Sequence, residues 1–417
     1  YATIISNSLN QYGTHRLWKN KFITPKINKI SNWGKFMAGS IYFSRYNGNR
    51  SLLMVMNELL KNKHISDYLK GGLIVNTAII VSQLTNYERV FINKLNLILN
   101  QNSSLPIRYG VLLGISLFSI ENWKNFELSE IYRSMRDSVY IEKISNLTSF
   151  IGLGIILKGR PVKKFVKILF NIICEKVSGV NSIFLSFSLG FIFFETGYKA
   201  CSIFDSLIKE KNIAIRCAAI NILSFAFIGT SNINILRKLI RNFMLETQSS
   251  VKQIFVLGFG IIFKSNLEKI TWLFEELIMN HDPFVRFSTT FSILLCFSEN
   301  PKNCRASKEL LIKLTFDQSD FVRQAACITL GLIGRNGLKK KYIDFGIRRF
   351  RDIISNREET EITKFGAFIG ASLIESSASK IGPENLTNYE TSNEFVKMIL
   401  GITYWYNINN IVFFVHS

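Results

Sequence analysis

The sequence predicts an all-α fold, a solenoid of stacked helix pairs, and three observations carry that reading. A short phrase recurs along the chain: an aliphatic residue, a basic one, then small residues. Examples are Ile107-Arg108-Tyr109-Gly110, Ile215-Arg216-Cys217-Ala218, Val285-Arg286-Phe287-Ser288 and Val322-Arg323-Gln324-Ala325. The phrase returns at a near-constant period. Its basic position falls at Lys35, Lys70, Arg108, Arg216, Lys252, Arg286, Arg323 and Lys364, with uncharged copies at Asn146 and Ser182, so successive copies lie 34 to 41 residues apart. Between copies two helical patterns alternate, one apolar nearly all round and one amphipathic. A period of this size marks stacked supersecondary units, none of which can bury its apolar face alone. It implies a function made of surfaces rather than of a reaction centre.

The elements follow in order. Two places after the anchor stand Gly72, Gly110, Ala218, Ser288, Ala325 and Gly366, small enough to let neighbouring helices approach closely; Met37, Thr148, Phe184 and Ile254 depart from the rule. Gly159-Arg160-Pro161 breaks the helix pair that follows Asn146, and Gly229-Thr230-Ser231-Asn232 breaks the pair around Arg216. The unit at Arg286 shows the grammar most fully. His281-Asp282-Pro283 supplies a cap and a proline at the first helical position, where its missing N–H costs nothing. An apolar helix is expected over 284–297, an amphipathic one over 306–316, and Asp317-Gln318-Ser319-Asp320 turns into the next unit. The apolar helix of each pair is expected to be buried on more than one side, and its amphipathic partner to face solvent. Residues 337–357, within the 41-residue repeat, carry a small insertion with Lys339-Lys340-Lys341 and Arg348-Arg349-Phe350-Arg351. Beyond Gly382-Pro383 the helical grammar fades into Tyr404-Trp405-Tyr406 and an apolar stretch, 411–415, of strand-like composition. The domains read as a repeat array over 1–383 and a C-terminal aromatic and apolar segment over 384–417.

Composition bounds the rest. A chain of 417 residues exceeds the roughly 250–300 at which one core stops growing, so it is several domains or one array; the period favours the array. Lys and Arg number 51 against 30 Asp and Glu, a net charge of +21. Such a balance suits nucleic acid, an anionic membrane face or an acidic protein, and it also suits the mutational bias of an AT-rich genome, since Asn, Lys, Ile and Phe abound. Apolar runs such as 183–194 and 254–263 fall short of the ~18 residues that span a bilayer. Six cysteines without a C-x-x-C pair behave as small hydrophobes in a reducing compartment, cytoplasmic or nuclear. The chain begins at Tyr1 within a helical pattern and reads as a fragment or a trimmed product.

A search for chemistry finds little. Gly152-x-Gly154 and Gly258-x-Gly260 lie inside apolar helices, where close packing explains them; a dinucleotide loop needs a strand-to-helix turn. His15, His64, His281 and His416 have no ligand-spaced partners, and His281 reads as a polar turn residue. Glu358, Glu359 and Glu361 beside Arg357 read as a solvated, charge-balanced turn. No catalytic residue, metal site or cofactor site is assigned. The anchor ladder either lines a groove for an acidic partner or, the plainer reading, pairs at helix starts with a neighbouring unit's carboxylate or carbonyls. Lys339, Lys340, Lys341, Arg348, Arg349 and Arg351 form the candidate contact for an anionic partner.

The phrases Asn32-Trp33-Gly34-Lys35-Phe36, Val322-Arg323-Gln324-Ala325-Ala326 and Lys364-Phe365-Gly366-Ala367 resemble the proteasome/cyclosome-repeat family, in particular its large non-ATPase toroid subunits of the 26S proteasome regulatory particle. Gly229-Thr230-Ser231-Asn232 before Leu236-Arg237-Lys238-Leu239, and Tyr404-Trp405-Tyr406, support the likeness. The resemblance implies an α-solenoid closed into a toroid of about ten helix-pair repeats, with no enzymatic activity and no cofactor. It implies a scaffold whose partners are the ATPase ring, the lid, a ubiquitin receptor and a deubiquitinase. Family members also carry a helical rod before the toroid and a receptor-docking tail after it, which residues 1–417 do not include, so receptor docking by that route is not expected. Two other readings stand beside it. A paralogous toroid of the proteasome base or a cyclosome subunit shares the repeat. A basic helical-repeat protein that binds nucleic acid is of another class, and aromatics that lie mostly within apolar faces argue against its base stacking.

Overall fold

The computed structural model describes residues 65–81, 104–122, 145–175, 180–264, 266–297, 304–335 and 340–378, with isolated helical positions between 91 and 98. Among these residues every regular element is a helix. The repeats at Lys35, the 411–415 stretch and Tyr404-Trp405-Tyr406 lie outside the described residues. The chain forms two compact units, residues 1–156 with 378–380 and residues 157–377 with 381–417.

In the first unit, α1 (Asp67–Val81), α2 (Leu105–Asn122) and α3 (Ser145–Ile156) pack in sequence, α1 on α2 and α2 on α3. Contact between α1 and α2 is made by backbone. A Cβ on Gly110 would strike the carbonyl of Gly71, and one on Gly114 would lie 3.2 Å from the Ala78 methyl. Thr77 and Ser116, buried in these apolar helices, satisfy their hydroxyls by donating to Leu73 O and Leu112 O one turn back.

The second unit alternates outer and inner helices. Its outer layer is α4 (Lys163–Glu175), α6 (Lys199–Leu207), α8 (Ile233–Leu245), α10 (Thr271–Leu277, after a 3-10 turn at Leu267–Lys269), α12 (Cys304–Leu314) and α14 (Lys340–Ser355). Its inner layer is α5 (Val180–Ile192), α7 (Ile213–Ala226), α9 (Ser249–Ile262), α11 (Pro283–Phe297), α13 (Asp320–Arg335) and α15 (Glu361–Ala378). The expected helices at 284–297 and 306–316 are α11 and α12, each within two residues. Asp282 caps α11 by accepting from Phe284 N at 2.9 Å, with Pro283 as the first helical residue. Asn212 and Asn232 cap α7 and α8 in the same way.

Burial follows the two sequence patterns. In α7 every residue from Cys217 to Ala226 is buried, and in α9 every residue from Gln253 to Ile262. The outer α8 buries only Ile235, Leu236, Leu239 and Phe243, one stripe at helical spacing. Phe225 of α7 meets Phe187, Phe191 and Phe194 edge-on at 5.0–6.4 Å, so this aromatic cluster fills the interior. In the longest repeat both helices are long: α13 and α14 have 16 residues each, where α7 has 14 and α8 has 13.

Neighbouring inner helices touch at fixed register positions. Eight residues after one anchor meets six after the next: Ser224 with Gly258, Gly260 with Ser292, Gly331 with Gly370, and in the first unit Ala78 with Gly114. One after the anchor meets two after the next, as in Gln324 with Gly366 and Gly71 with Gly110. Gly258 and Gly260 thus face opposite neighbours within one helix, which is why the pair occurs. Ser292 reinforces its contact by donating to Val256 O at 2.7 Å, and Asn221 donates to Ser186 Oγ at 2.8 Å.

At the C-terminal end of the inner helices the main chain itself crosses between repeats. Gly159 N donates to Phe191 O, Glu195 N to Phe225 O and Gly197 N to Ala226 O, and Gly229 N to Ile261 O and Ser231 N to Ile262 O, all near 3.0 Å. Each turn therefore caps the last carbonyls of the following inner helix, groups with no partner inside that helix. Reaching them requires positive φ at the turn, +71° at Gly159 and +66° at Gly229. Replacing Gly260 by Ala places a methyl 2.8 Å from Ser292 Cα and 2.9 Å from its carbonyl oxygen, which we expect to cost about 1–3 kcal/mol. Gly229→Ala costs about 1–2 kcal/mol through its left-handed backbone. Urea midpoints measure both, and a Gly260→Ala protein as stable as the parent rules out backbone-distance packing of α9 on α11.

Candidate functional site

The anchor residues occupy one structural place. Lys70, Arg108, Arg216, Lys252, Arg286, Arg323 and Lys364 are each the fourth residue of an inner-layer helix or its counterpart in the first unit. A cation in the first turn opposes the helix dipole, whose positive end lies there. The three arginines of the second unit offset this by folding back, whereas Arg108 of the first unit keeps its Nε buried without a hydrogen-bond partner among the described residues. Arg216 Nη1 donates to Glu210 O and Lys211 O, both at 2.9 Å. Arg286 Nη1 does so to Asn280 O at 2.7 Å and His281 O at 3.1 Å, and Arg323 Nη1 to Asp317 O at 2.7 Å and Gln318 O at 3.0 Å. The rest of each guanidinium reaches the next repeat. Arg216 Nε donates to Glu246 Oε2 at 2.9 Å, Arg286 grips Asp317 with two bonds of 2.6 and 2.8 Å, and Arg323 pairs with Glu359.

Each carboxylate in turn accepts from the turn that carries it: Glu246 from Thr247 N and Gln248 N, Asp317 from Ser319 N, Glu359 from Thr360 N. One arginine therefore binds the turn before its own helix to the turn before the next. The side chains of Arg286 and Asp317 retain only 12% and 8% exposure. This is the pairing expected for the ladder, and it removes three of the anchors from any partner-binding groove. Lysine anchors behave differently. Lys364 and Lys70 pair within their own helices with Glu361 and Asp67, three residues back. Lys252 lies 5.9 Å from the Phe243 ring centroid, and position 280, where its successor's turn would offer a carboxylate, holds Asn.

The acidic turn near 358–361 is corrected by this geometry. Glu359 is not a solvated balancing charge but the carboxylate that receives Arg323, with 11% of its side chain exposed. Burial pushes its carboxyl up; the hydrogen bond and charge of Arg323, with the N–H of Thr360, outweigh that and hold it below the ordinary 4.5.

The α14 basic cluster divides. Lys339 lies outside the described residues, and Lys340 and Lys341 open the helix. Arg348 and Arg351 are exposed, with Asp344 and Asp352 exposed among them. Arg349 is committed internally: its guanidinium stacks 3.7 Å above the Phe316 ring and donates to Thr315 O at 2.9 Å, fastening α14 to the end of α12. The expectation that all of these cations face a partner fails at Arg349.

Cys217, Cys296 and Cys327 are buried among apolar groups, and burial raises all three thiols, Cys217 and Cys327 to about 12. Cys174 is instead exposed on α4. Gly258 and Gly260 are packing residues in α9, and His281 is an exposed turn residue. Among the described residues no group of three His, Cys, Asp or Glu has metal-binding geometry, and no helix is long and apolar enough to cross a membrane.

An apolar row lies along the anchor edge that the sequence reading missed. Seven residues before the anchors Lys252, Arg286 and Arg323 stand Leu245, Met279 and Phe316, exposed by 82%, 73% and 60%. Met244 and Phe284 extend it, Phe284 stacking on Phe321 at 5.3 Å. Exposed Leu, Met and Phe in register suit protein contact more than solvent. Its signal in the sequence is the phase of the repeat, an apolar residue seven places before each of these three anchors.

No family model matches the chain. It is similar over 97% of its length, at 23% identity, to the 26S proteasome regulatory subunit RPN2 of Candida glabrata and that of Eremothecium gossypii. The 26S proteasome non-ATPase regulatory subunit 1 of Drosophila melanogaster is 21% identical over the same share. The chain covers 44%, 44% and 40% of these proteins, less than half of their length. The resemblance to the large non-ATPase subunit of the regulatory particle therefore runs through nearly the whole chain.

Two stability predictions follow from the clamps. Arg286→Ala strands a buried carboxylate and two turn carbonyls and costs about 3 kcal/mol, while Lys252→Ala costs less than about 1 kcal/mol; the Arg286→Ala/Asp317→Ala pair costs less than the sum of its singles. Equal effects at 252 and 286 refute the clamp. Because Glu359 is depressed when folded, its stabilisation is complete above the unfolded value near 4.5 and is lost as pH falls through the lower folded value. Urea titrations across that range show a steeper loss for the parent than for Glu359→Gln.

Proposed function

We propose that this chain is a non-catalytic scaffold of the 26S proteasome regulatory particle, part of its base, serving ubiquitin-dependent protein degradation. The observation that carries this reading is the collinear similarity over 97% of the chain to proteins named as regulatory subunits of the 26S proteasome. The helical repeats agree with it, and so does an exposed apolar row beside satisfied, inward-turned anchors. In this reading residues 1–383 form the toroid of about ten repeats, 384–417 pack on or close it, and the particle resides in the cytoplasm or nucleus.

The proposed partners are the ATPase ring, the lid, a ubiquitin receptor and a deubiquitinase. The row Leu245, Met279 and Phe316 supports contact along the anchor edge. Arg348 and Arg351, preceded by Lys339, Lys340 and Lys341, are a second proposed contact on α14. Helical-repeat scaffolds gain stability from neighbour interfaces, so binding surfaces on outer helices and edges do not compete with the fold.

The test is affinity purification of the tagged chain from its native cells followed by mass spectrometry. Proteasomal ATPases and lid subunits are expected at near-stoichiometric levels. Their absence refutes the assignment. A Leu245→Asp/Met279→Asp protein is expected to fold and to lose part of that set.

A further inference from the structure

We propose that the outer faces of α4, α6 and α8 form a binding surface for an acidic, partly apolar polypeptide segment. These three outer helices belong to successive repeats. The turns before α4 and α6 adjoin, with Lys158 Nζ 4.2 Å from the Phe194 ring centroid and Gly159 N bonded to Phe191 O. Likewise α6 and α8 are joined by Lys238–Asp205 at 2.7 Å and by Asn232 Nδ2 donating to Tyr198 Oη at 3.4 Å.

Charge on this surface is one-sided. Lys163, Lys164 and Lys167 of α4, Lys199 of α6, and Arg237 and Arg241 of α8 are all exposed. Among the described residues none of the six has a carboxylate within ion-pair distance. Helix α8 contains no acid at all. Among the described side chains of these three helices the exposed acid is Asp205, which Lys238 holds; in the adjoining turns Glu195 acts on Lys158 and Glu210 is exposed beyond the far end of α6. Lys167 and Arg237 stand eight residues after the equivalent turn residues Gly159 and Gly229, and Lys163 and Lys199 four after Gly159 and the equivalent Glu195. Adjacent or alternate helices thus share a charged position, although Ile203 fills the first of these on α6. Elsewhere the outer layer does not behave this way: α10 exposes Glu275 and Glu276, and α14 interleaves Asp344 and Asp352 with its arginines.

Apolar side chains accompany the cations. Val162, Tyr198 and Ile233, exposed by 43%, 73% and 55%, stand at the starts of these same helices. A segment that alternates carboxylates with aliphatic residues satisfies both sets. Nucleic acid fits less well, because single strands need stacking platforms. Tyr198 is the one exposed aromatic among these described side chains, and its ring is already edge-on to Phe227 at 5.1 Å. The surface is independent of the proteasomal reading, and either can fail alone.

The experiment uses the 417-residue chain and a fluorescein-labelled peptide of alternating Glu and Leu, with a Lys/Leu peptide and oligouridylate as controls. Fluorescence anisotropy is expected to show saturable binding of the acidic peptide that weakens with salt. Charge reversal at Lys163, Lys164 and Lys167, or at Arg237 and Arg241, is expected to weaken it about tenfold or more. Reversal of the exposed Lys209 and Lys211, on the opposite edge, changes it less than about twofold, and circular dichroism confirms that all variants fold. Absence of peptide binding, equal loss in all three variants, or tighter binding of oligouridylate overturns the proposal.

Discussion

Neighbouring inner helices lie at backbone contact, and that close approach governs everything else in the second unit. Gly260 has no room for a methyl against Ser292, nor Gly331 against Gly370. Packing at this distance brings carbonyls and N–H groups of one repeat within reach of the next, so the interface is tied by the main chain as well as by side chains. It also demands that both ends of the helices be held. The C-terminal end is held by positive-φ turns such as Gly229, which cap carbonyls of the following helix. The N-terminal end is held by arginines that bind two turn carbonyls and a carboxylate at once.

The clamp explains a detail that periodicity leaves open. Both arginine and lysine occur at the anchor, and they are not interchangeable there. A planar guanidinium can serve carbonyls with one nitrogen and a carboxylate with the others. A compact ammonium cannot bridge that span. The partner position agrees: Glu246, Asp317 and Glu359 follow the arginines, whereas Asn280 follows Lys252. Satisfying these cations internally leaves function to other groups. The edge residues Leu245 and Met279, and the basic faces of α4, α6 and α8, are surfaces that the fold itself does not consume, while Phe316 in the same row also carries Arg349. A scaffold of a large assembly requires this division, because a residue that holds repeats together cannot be released to bind.

Much of this was legible in the chain. The anchor positions, the helix-pair grammar, the Asp282-Pro283 start of α11 and the packing role of Gly258 and Gly260 all emerge from local pattern. So does the pairing of anchors with a neighbour's carboxylate. Other features were not legible. Glu359 sits in a run of exposed-looking charge, and only its position across from Arg323 gives it a partner. Arg349 is one of three basic residues within 348–351, yet it alone reaches Thr315 and Phe316. Cys174 shares the apolar surroundings of the buried cysteines but points to solvent.

By itself, then, the sequence determined an α-helical repeat with alternating buried and amphipathic helices, the register of its units, and a resemblance to the large toroid subunits of the proteasome. It could do so because helix caps, turns and hydrophobic periods are local. The tertiary structure decided which small residue meets which, six after one anchor against eight after another, and which charges are spent on the fold. Those depend on contacts 30 to 36 residues apart in the chain, where a one-residue change in register exchanges a buried partner for an exposed one. The long-range pairings separate structural cations from those left free to bind, and composition alone, at +21, does not distinguish them.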